Sequence, residues 1–238
     1  MQAKDKICLA IDVKTKEDAQ LLVSELKDYV GVYKVGKELF TSVGPEIVKT
    51  IVNNGGKVFL DLKYHDIPNT VAKAGEAATK LGVYMFNVHC SGGKAMMEAV
   101  AKSVKETAEQ NSLSRPLVLG VTILTSISQE ELNNELNIPG TVEEQVVRFA
   151  KLAKDAGLDG VVASPKEIKA IRAVCGDKFV IVTPGIRPVW AKKNDQQRIT
   201  TPKQAIDDGA SYLVIGRAIT AQENKAEAAK KILDEIES

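Results

Sequence analysis

This 238-residue sequence has few cysteines, few histidines and no long apolar run. It has three cysteines, Cys8, Cys90 and Cys175, an odd number set far apart with no Cys-x-x-Cys pair. Cys8 and Cys90 lie inside apolar runs, so a zinc site or disulfide framework is not expected, and a reducing cytoplasm fits better. The only histidines are His65 and His89, too few for a histidine-based metal centre. No apolar run approaches the ~18 residues that a membrane helix needs. The N-terminus, Met1-Gln2-Ala3-Lys4-Asp5-Lys6, leads straight into a short apolar run and does not read as a signal peptide. Net charge is only +1, so no overall field draws the chain onto nucleic acid or an anionic membrane. An anionic ligand must be held by a local constellation.

The composition is 44% hydrophobic and 26% charged, which suits a soluble globular protein. Short β-type runs recur at 7–12, 32–36, 57–63, 84–89, 117–123, 158–163, 179–183 and 211–215. Amphipathic helical patterns fill 17–28, 45–53, 68–81, 93–109, 141–156, 165–174, 202–208 and 222–236. In the first of these, Ala19, Leu22, Val23 and Leu26 share one face. Such alternation implies parallel strands joined by crossover helices. An open doubly wound sheet could use it too. Eight units in one short chain without a domain-sized linker favour closure into an α/β (β/α)8 TIM barrel, one domain over residues 1–238. Glycines at 55–56, 82, 157, 176 and 209 stand where helix C-caps are expected. The polar stretch 187–201 is the least structured.

Active sites of such barrels form at the C-terminal strand ends. The first strand ends in Asp12, the second carries Lys34, and the third ends with Asp61 and Lys63. Period two puts Asp61 and Lys63 on one face, toward the lumen, and Leu60 and Leu62 toward the helices. One such pair could be a structural ion pair. Asp12, Lys34, Asp61, Lys63 and Asp66 converging on one mouth form a network that costs stability, which makes function the better explanation. A lysine between carboxylates keeps its proton, so it serves as a proton donor or anchor rather than as a Schiff-base amine. A second cluster follows the last two strands: Thr183-Pro184-Gly185-Ile186-Arg187 and Gly216-Arg217. Loops at these positions commonly bind phosphate, with glycine admitting backbone N–H groups and arginine gripping oxygens bidentately. A phosphorylated small molecule is the expected ligand.

The run Asp61-Leu62-Lys63-Tyr64-His65-Asp66-Ile67-Pro68-Asn69-Thr70-Val71 resembles the signature of the orotidine 5′-phosphate decarboxylase family, in its bacterial form. The resemblance spans essentially the whole chain. It includes the Asp12 strand, Tyr33-Lys34-Val35-Gly36, Val121-Thr122-Ile123-Leu124-Thr125-Ser126, Thr183–Arg187, Asn194-Asp195-Gln196 and Gly216-Arg217. It implies cofactor- and metal-free decarboxylation of orotidine monophosphate to UMP in pyrimidine synthesis, with Lys63 delivering a proton to C6. Asp61 then lies beside the substrate carboxylate, and Lys34 belongs to both the charged network and the ribose contacts, with Asp12. Thr125 contacts the pyrimidine. Pro184, Arg187, Gln196, Gly216 and Arg217 complete the ligand contacts, mostly around the phosphate, with 187–197 as a closing loop. Asp66, grouped with the catalytic residues, and Thr70 resemble a pair lent to a neighbouring subunit, which implies a homodimer.

Metal-dependent sugar-phosphate decarboxylases and hexulose-phosphate synthases share the third-strand pattern. They typically carry a glutamate metal ligand on the second strand, where this chain has Lys34, a cation that repels a divalent metal. A non-catalytic nucleotide-binding barrel is the other alternative. Mere binding has no need of Lys63 between aspartates. Outside these motifs, His89 is expected to hydrogen-bond structurally and His65 to hold the loop bearing Asp66. Met96 and Met97 are expected to pack, Trp190 to anchor its loop, and 222–238 to present a solvated helix face.

Overall fold

Every strand run found in the sequence pairs in parallel with its neighbours, in a computed structural model that describes residues 2–191 and 200–238. The first half of the chain runs β1 (Ile7–Ile11), α1 (Lys16–Leu26), β2 (Val32–Gly36), α2 (Lys37–Val43), α3 (Glu46–Asn53), β3 (Lys57–Tyr64), α4 (Pro68–Lys80), β4 (Met85–His89) and α5 (Lys94–Gln110). The second half runs β5 (Leu117–Val121), α6 (Val142–Asp155), β6 (Gly160–Val162), α7 (Ile168–Cys175), β7 (Val180–Thr183), α8 (Pro202–Asp207), β8 (Tyr212–Ile215), α9 (Arg217–Thr220) and α10 (Lys225–Glu237). The eighth strand closes on the first through Ile7–Leu213, Cys8–Val214 and Leu9–Ile215, so the sheet is a closed barrel and not an open one. Two short helices, α2 and α9, and a π-helical turn at Glu131–Glu135 were not expected. Segments that short hardly exceed one or two turns and show no readable 3.6-residue period.

Period two sorts the strand residues into two apolar groups. Cys8, Val32, Phe59, Met85, Leu119, Val182 and Tyr212 fill the lumen. Leu9, Val35, Leu60, Phe86, Val118 and Ile181 point outward to the helices, where Ala19, Leu22, Val23 and Leu26 of α1 cover them as the sequence pattern predicts. Met96 and Met97 are fully buried in this outer layer. Crossovers must turn sharply at the N-terminal rim. At Gly157, which follows α6, φ is +81°, and Leu158 N–H donates to the Ala153 carbonyl to end the helix.

That rim is tied by charged groups facing backbone. Asp159 accepts two bonds from Arg115, at 2.8 and 3.0 Å, and one from Val118 N–H at 2.8 Å, joining β5 to the approach to β6. From α7, Arg172 donates to the carbonyls of Gly209, Gly176, Asp177 and Phe179 and to Ser211 Oγ, which itself accepts from Ile181 N–H. One guanidinium thus satisfies the turns entering both β7 and β8. Removing it with Arg172→Ala is expected to lower unfolding free energy by about 2–3 kcal/mol, the usual value of charge-assisted bonds to carbonyls left unpaired. A urea titration reads this directly, and an unchanged midpoint contradicts the assignment.

Candidate active site

At the C-terminal side of the lumen, the inward positions of four adjacent strands change from apolar to polar. Two residues beyond Cys8, Val32, Phe59 and Met85 on the lumen face come Ala10, Lys34, Asp61 and Asn87, and two further come Asp12, Gly36, Lys63 and His89. Across the barrel, the corresponding residues Val121, Val162 and Val214 stay apolar. A charged wall therefore faces an apolar one. An inner cavity of about 160 Å3 lies between them, lined by Lys34, Asp61, Lys63, Thr125, Pro184 and the valines. An outer cavity of about 680 Å3 opens beside it, lined by Asp12, Arg187, Trp190, Gly216 and Arg217. Lys34 and Val214 border both.

The charged wall is one connected chain of contacts. Lys34 Nζ stands 3.2 Å from Asp12 Oδ1 and 3.7 Å from Asp61 Oδ2. Asp61 Oδ1 accepts from Lys63 Nζ at 2.5 Å and from Asn87 Nδ2 at 2.8 Å. The Asp61 side chain is only 13% exposed. Burial by itself would raise its carboxyl, but Lys63, Lys34 and the two hydrogen bonds outweigh burial and hold it below the ordinary aspartate range. The inner network thus holds an ionised carboxylate against two ammonium groups.

Lys63 is positioned by an irregular backbone. Its φ is +54°, a left-handed conformation that costs a non-glycine residue about 1–2 kcal/mol. The β3–β4 ladder shifts here: Leu60 pairs with Phe86 and Tyr64 with Val88, so Asp61, Leu62 and Lys63 stand opposite Asn87 alone. Asn87 is fully buried, and its Oδ1 accepts from the Lys63 backbone N–H at 2.8 Å. Sequence reasoning missed this residue. The available signal was a lone amide inside the apolar run Tyr84–His89, at a lumen-facing position.

The outer cavity gathers the second cluster. Gly216 precedes α9; the amides of Ile219 and Thr220 donate to the Gly216 carbonyl, and those of Arg217 and Ala218 have no partner within the helix. A Cβ at Gly216 would sit 3.3 Å from Ala10 Cβ and 3.8 Å from Asp12 Oδ2, so glycine keeps this wall open. Arg187 N–H donates to the Thr200 carbonyl at 3.2 Å, bringing together the chain on either side of 192–199. Among the described residues, neither Arg187 nor Arg217 has a carboxylate within ion-pair distance. Lys231 Nζ lies 5.9 Å from the centre of the Trp190 ring, anchoring that segment to α10. Gln196, with Asn194 and Asp195, lies outside the described residues.

Asp12, Lys34, Asp61, Lys63, Thr125, Pro184, Arg187, Gly216 and Arg217 are all brought to these two cavities. Asp66 and Thr70 are not. After Lys63 the chain turns out of the lumen, both residues are exposed, and Asp66 Oδ1 accepts from Ile67 N–H at 2.6 Å. The expected convergence of Asp66 with the other four charges therefore does not occur within one chain. His89 also departs from expectation. Among the described residues its side chain makes no hydrogen bond, and its ring lies 5.5 Å from that of His65. Desolvation, then His65, Lys37 and Lys63, push its pKa down.

The chain matches the family model described as "Orotidine 5'-phosphate decarboxylase / HUMPS family" over residues 5–232. The orotidine 5′-phosphate decarboxylase of Syntrophomonas wolfei is 55% identical over 238 residues, covering 100% of both chains. That of Moorella thermoacetica is 53% identical, covering 100% of this chain and 94% of its own. Among solved structures, the orotidine 5′-phosphate decarboxylase of Lactobacillus acidophilus superposes with a TM-score of 0.87 at 39% identity, covering 98% of this chain and 99% of its own. Sequence and fold agree along the full length, and the chain belongs to the orotidine 5′-phosphate decarboxylase/HUMPS family.

Proposed function

We propose that residues 1–238 act as one barrel domain that decarboxylates orotidine 5′-monophosphate to UMP, without cofactor or metal. The observation that carries this reading is the Lys63 ammonium, held 2.5 Å from a buried carboxylate at the edge of a cavity whose far wall is apolar. Loss of carbon dioxide breaks the C6–carboxyl bond and leaves the electron pair on C6. The fixed ammonium stabilises that charge as it develops and transfers a proton to C6. The neutral amine then regains a proton from water. Little delocalisation is available to the carbanion, so a preorganised cation in an apolar surrounding is the stabilisation this chemistry needs.

The other residues fall into place around that centre. Asp61 holds Lys63 and faces the substrate carboxylate. Lys34, which borders both cavities, and Asp12, in the outer one, take the ribose hydroxyls, while Thr125 and Pro184 border the pyrimidine. Arg187, Gly216 and Arg217, with Gln196, grip the phosphate, whose binding energy organises the reacting end. The donor set favours metal-free chemistry, because the Lys34 ammonium sits 3.7 Å from Asp61 and would repel a divalent cation. The three cysteines are unpaired and buried, which supports a cytoplasmic setting. A net charge of +1 supports a small-molecule partner over nucleic acid. No helix among the described residues is long and apolar enough to cross a membrane.

We further propose a homodimer in which Asp66 and Thr70 complete the partner's site. Their outward placement supports this, as does the neighbouring Ile67, a large aliphatic side chain left 67% exposed.

Ultraviolet absorbance of orotidine monophosphate gives the first test. Turnover is expected to persist in excess EDTA and to fall about ten-thousandfold in Lys63→Ala, with UMP binding retained. Chelator-sensitive turnover would support the metal-dependent alternative, and a near-normal Lys63→Ala would remove the proton donor. Mixing tests the dimer. Lys63→Ala and Asp66→Ala subunits, each inactive alone, should on exchange regain about a quarter of parental activity, because half the dimers are mixed and each has one intact site. No recovery after demonstrated subunit exchange contradicts the shared site.

A further inference from the structure

We infer that Asn87 is a positioning residue for the reaction, its side-chain amide replacing the missing peptide group in the β3–β4 ladder so that Lys63 can turn into the lumen. The inference rests on the reading of Lys63 as proton donor. Between the pairs Leu60–Phe86 and Tyr64–Val88, three residues of β3 face one of β4, and an ordinary ladder cannot satisfy them. Lys63, with φ of +54°, directs its backbone N–H at the Asn87 side chain instead of a strand carbonyl. A carboxamide carries the same donor and acceptor as a peptide unit, and Asn87 uses both. Its Oδ1 accepts from Lys63 N–H at 2.8 Å, and its Nδ2 donates to Asp61 Oδ1 at 2.8 Å.

One rigid group therefore fixes both ends of the Asp61–Lys63 pair: the backbone from which the ammonium hangs and the carboxylate that receives it. Asn87 has no exposed surface and lines neither cavity, so its influence on a ligand must pass through these two residues. The inner pair sits between Lys34 and an apolar wall, where a shift of the Lys63 ammonium moves it off the reacting carbon. Misplacement by about 1 Å can cost about a hundredfold in rate.

The test uses two variants of the full-length protein. Asn87→Ala removes both bonds, and its kcat should fall about a hundredfold while the Kd for UMP changes by less than about threefold. Asn87→Asp keeps the size and the acceptor for Lys63 N–H but has no donor toward Asp61 when ionised. The charged groups facing that position are Asp61, Lys63 and, beyond them, Lys34, with His89 next on the same strand. Two buried carboxyls in contact favour holding one proton between them, and the protonated acid reproduces the carboxamide's donor and acceptor. The kcat of Asn87→Asp relative to parent should therefore climb about tenfold as pH falls from about 8 to about 5.5. A residue that merely filled space would show no such recovery on acidification.

Near-parental kcat in Asn87→Ala, or a relative kcat for Asn87→Asp that stays flat or falls on acidification, overturns the inference. Should the alanine variant fail to fold, the isosteric Asn87→Asp carries the test by itself. Lys63→Ala, assayed in parallel, separates the two levels. An inactive Lys63→Ala beside a near-normal Asn87→Ala removes only Asn87, whereas an active Lys63→Ala removes the proton donor and this inference together.

Discussion

A carboxylate kept ionised inside the barrel is the constraint on which the site depends. Moving an ion out of water costs several kcal/mol even after relaxation. An opposite charge a few ångströms away returns about 4 kcal/mol at the effective dielectric typical of proteins. One cation beside Asp61 would leave the balance close, and two settle it in favour of the charged form, in keeping with its lowered pKa. The two lysines must then come from fixed places, one from the neighbouring strand and one from Asp61's own strand two residues on. The irregular backbone at Lys63 and the amide of Asn87 follow from that requirement. Regular strand geometry would also place Lys63 alongside Asp61 on the lumen face; the left-handed backbone found here gives it a different approach and leaves its N–H to the Asn87 side chain.

The molecule separates the strain needed for this site from the groups that hold the barrel together. At the N-terminal rim, Arg172, Arg115 and Asp159 bond to backbone, and the Tyr84 and Tyr212 hydroxyls meet at 2.6 Å near the base of the lumen. The middle of the lumen is packed with apolar side chains. The ladder shift, the left-handed lysine and most of the functional charge lie at the opposite rim. Such a barrel can bear a locally costly arrangement at one end because its other end and middle are over-determined.

This division also explains what could be read from the residues alone. The strands and the inward direction of Asp61 and Lys63 follow from alternation, since Leu60 and Leu62 commit the opposite face to the helices, and closure follows from eight units in one short chain. Arg187 and Arg217 were found through their places after the last two strands. Alternation fails where the strand stops being regular. Nothing in the residue type of Lys63 marks a left-handed conformation, because the environment imposes it. Asn87 was overlooked for a related reason: its importance comes from a gap in the ladder, visible only once both strands are in register. Asp66 was grouped with the lumen charges by sequence proximity, but the turn at Lys63 sends it outward.

Position 34 shows how much chemistry a single lumen residue decides. Lys34 contacts Asp12 on the outer side and Asp61 on the inner side, and it borders both cavities. With it, two carboxylates are balanced by two ammonium groups and the network is neutral as it stands. A glutamate at the same place would leave three carboxylates facing only Lys63. That surplus of negative charge is what a divalent cation requires, and oxygen donors on adjacent strands are what it coordinates. The same barrel and the same Asp61–Lys63 pair could then support metal-dependent chemistry. In this chain the balancing charge is covalently attached to β2, so the charged wall of the inner cavity is neutral before any ligand arrives.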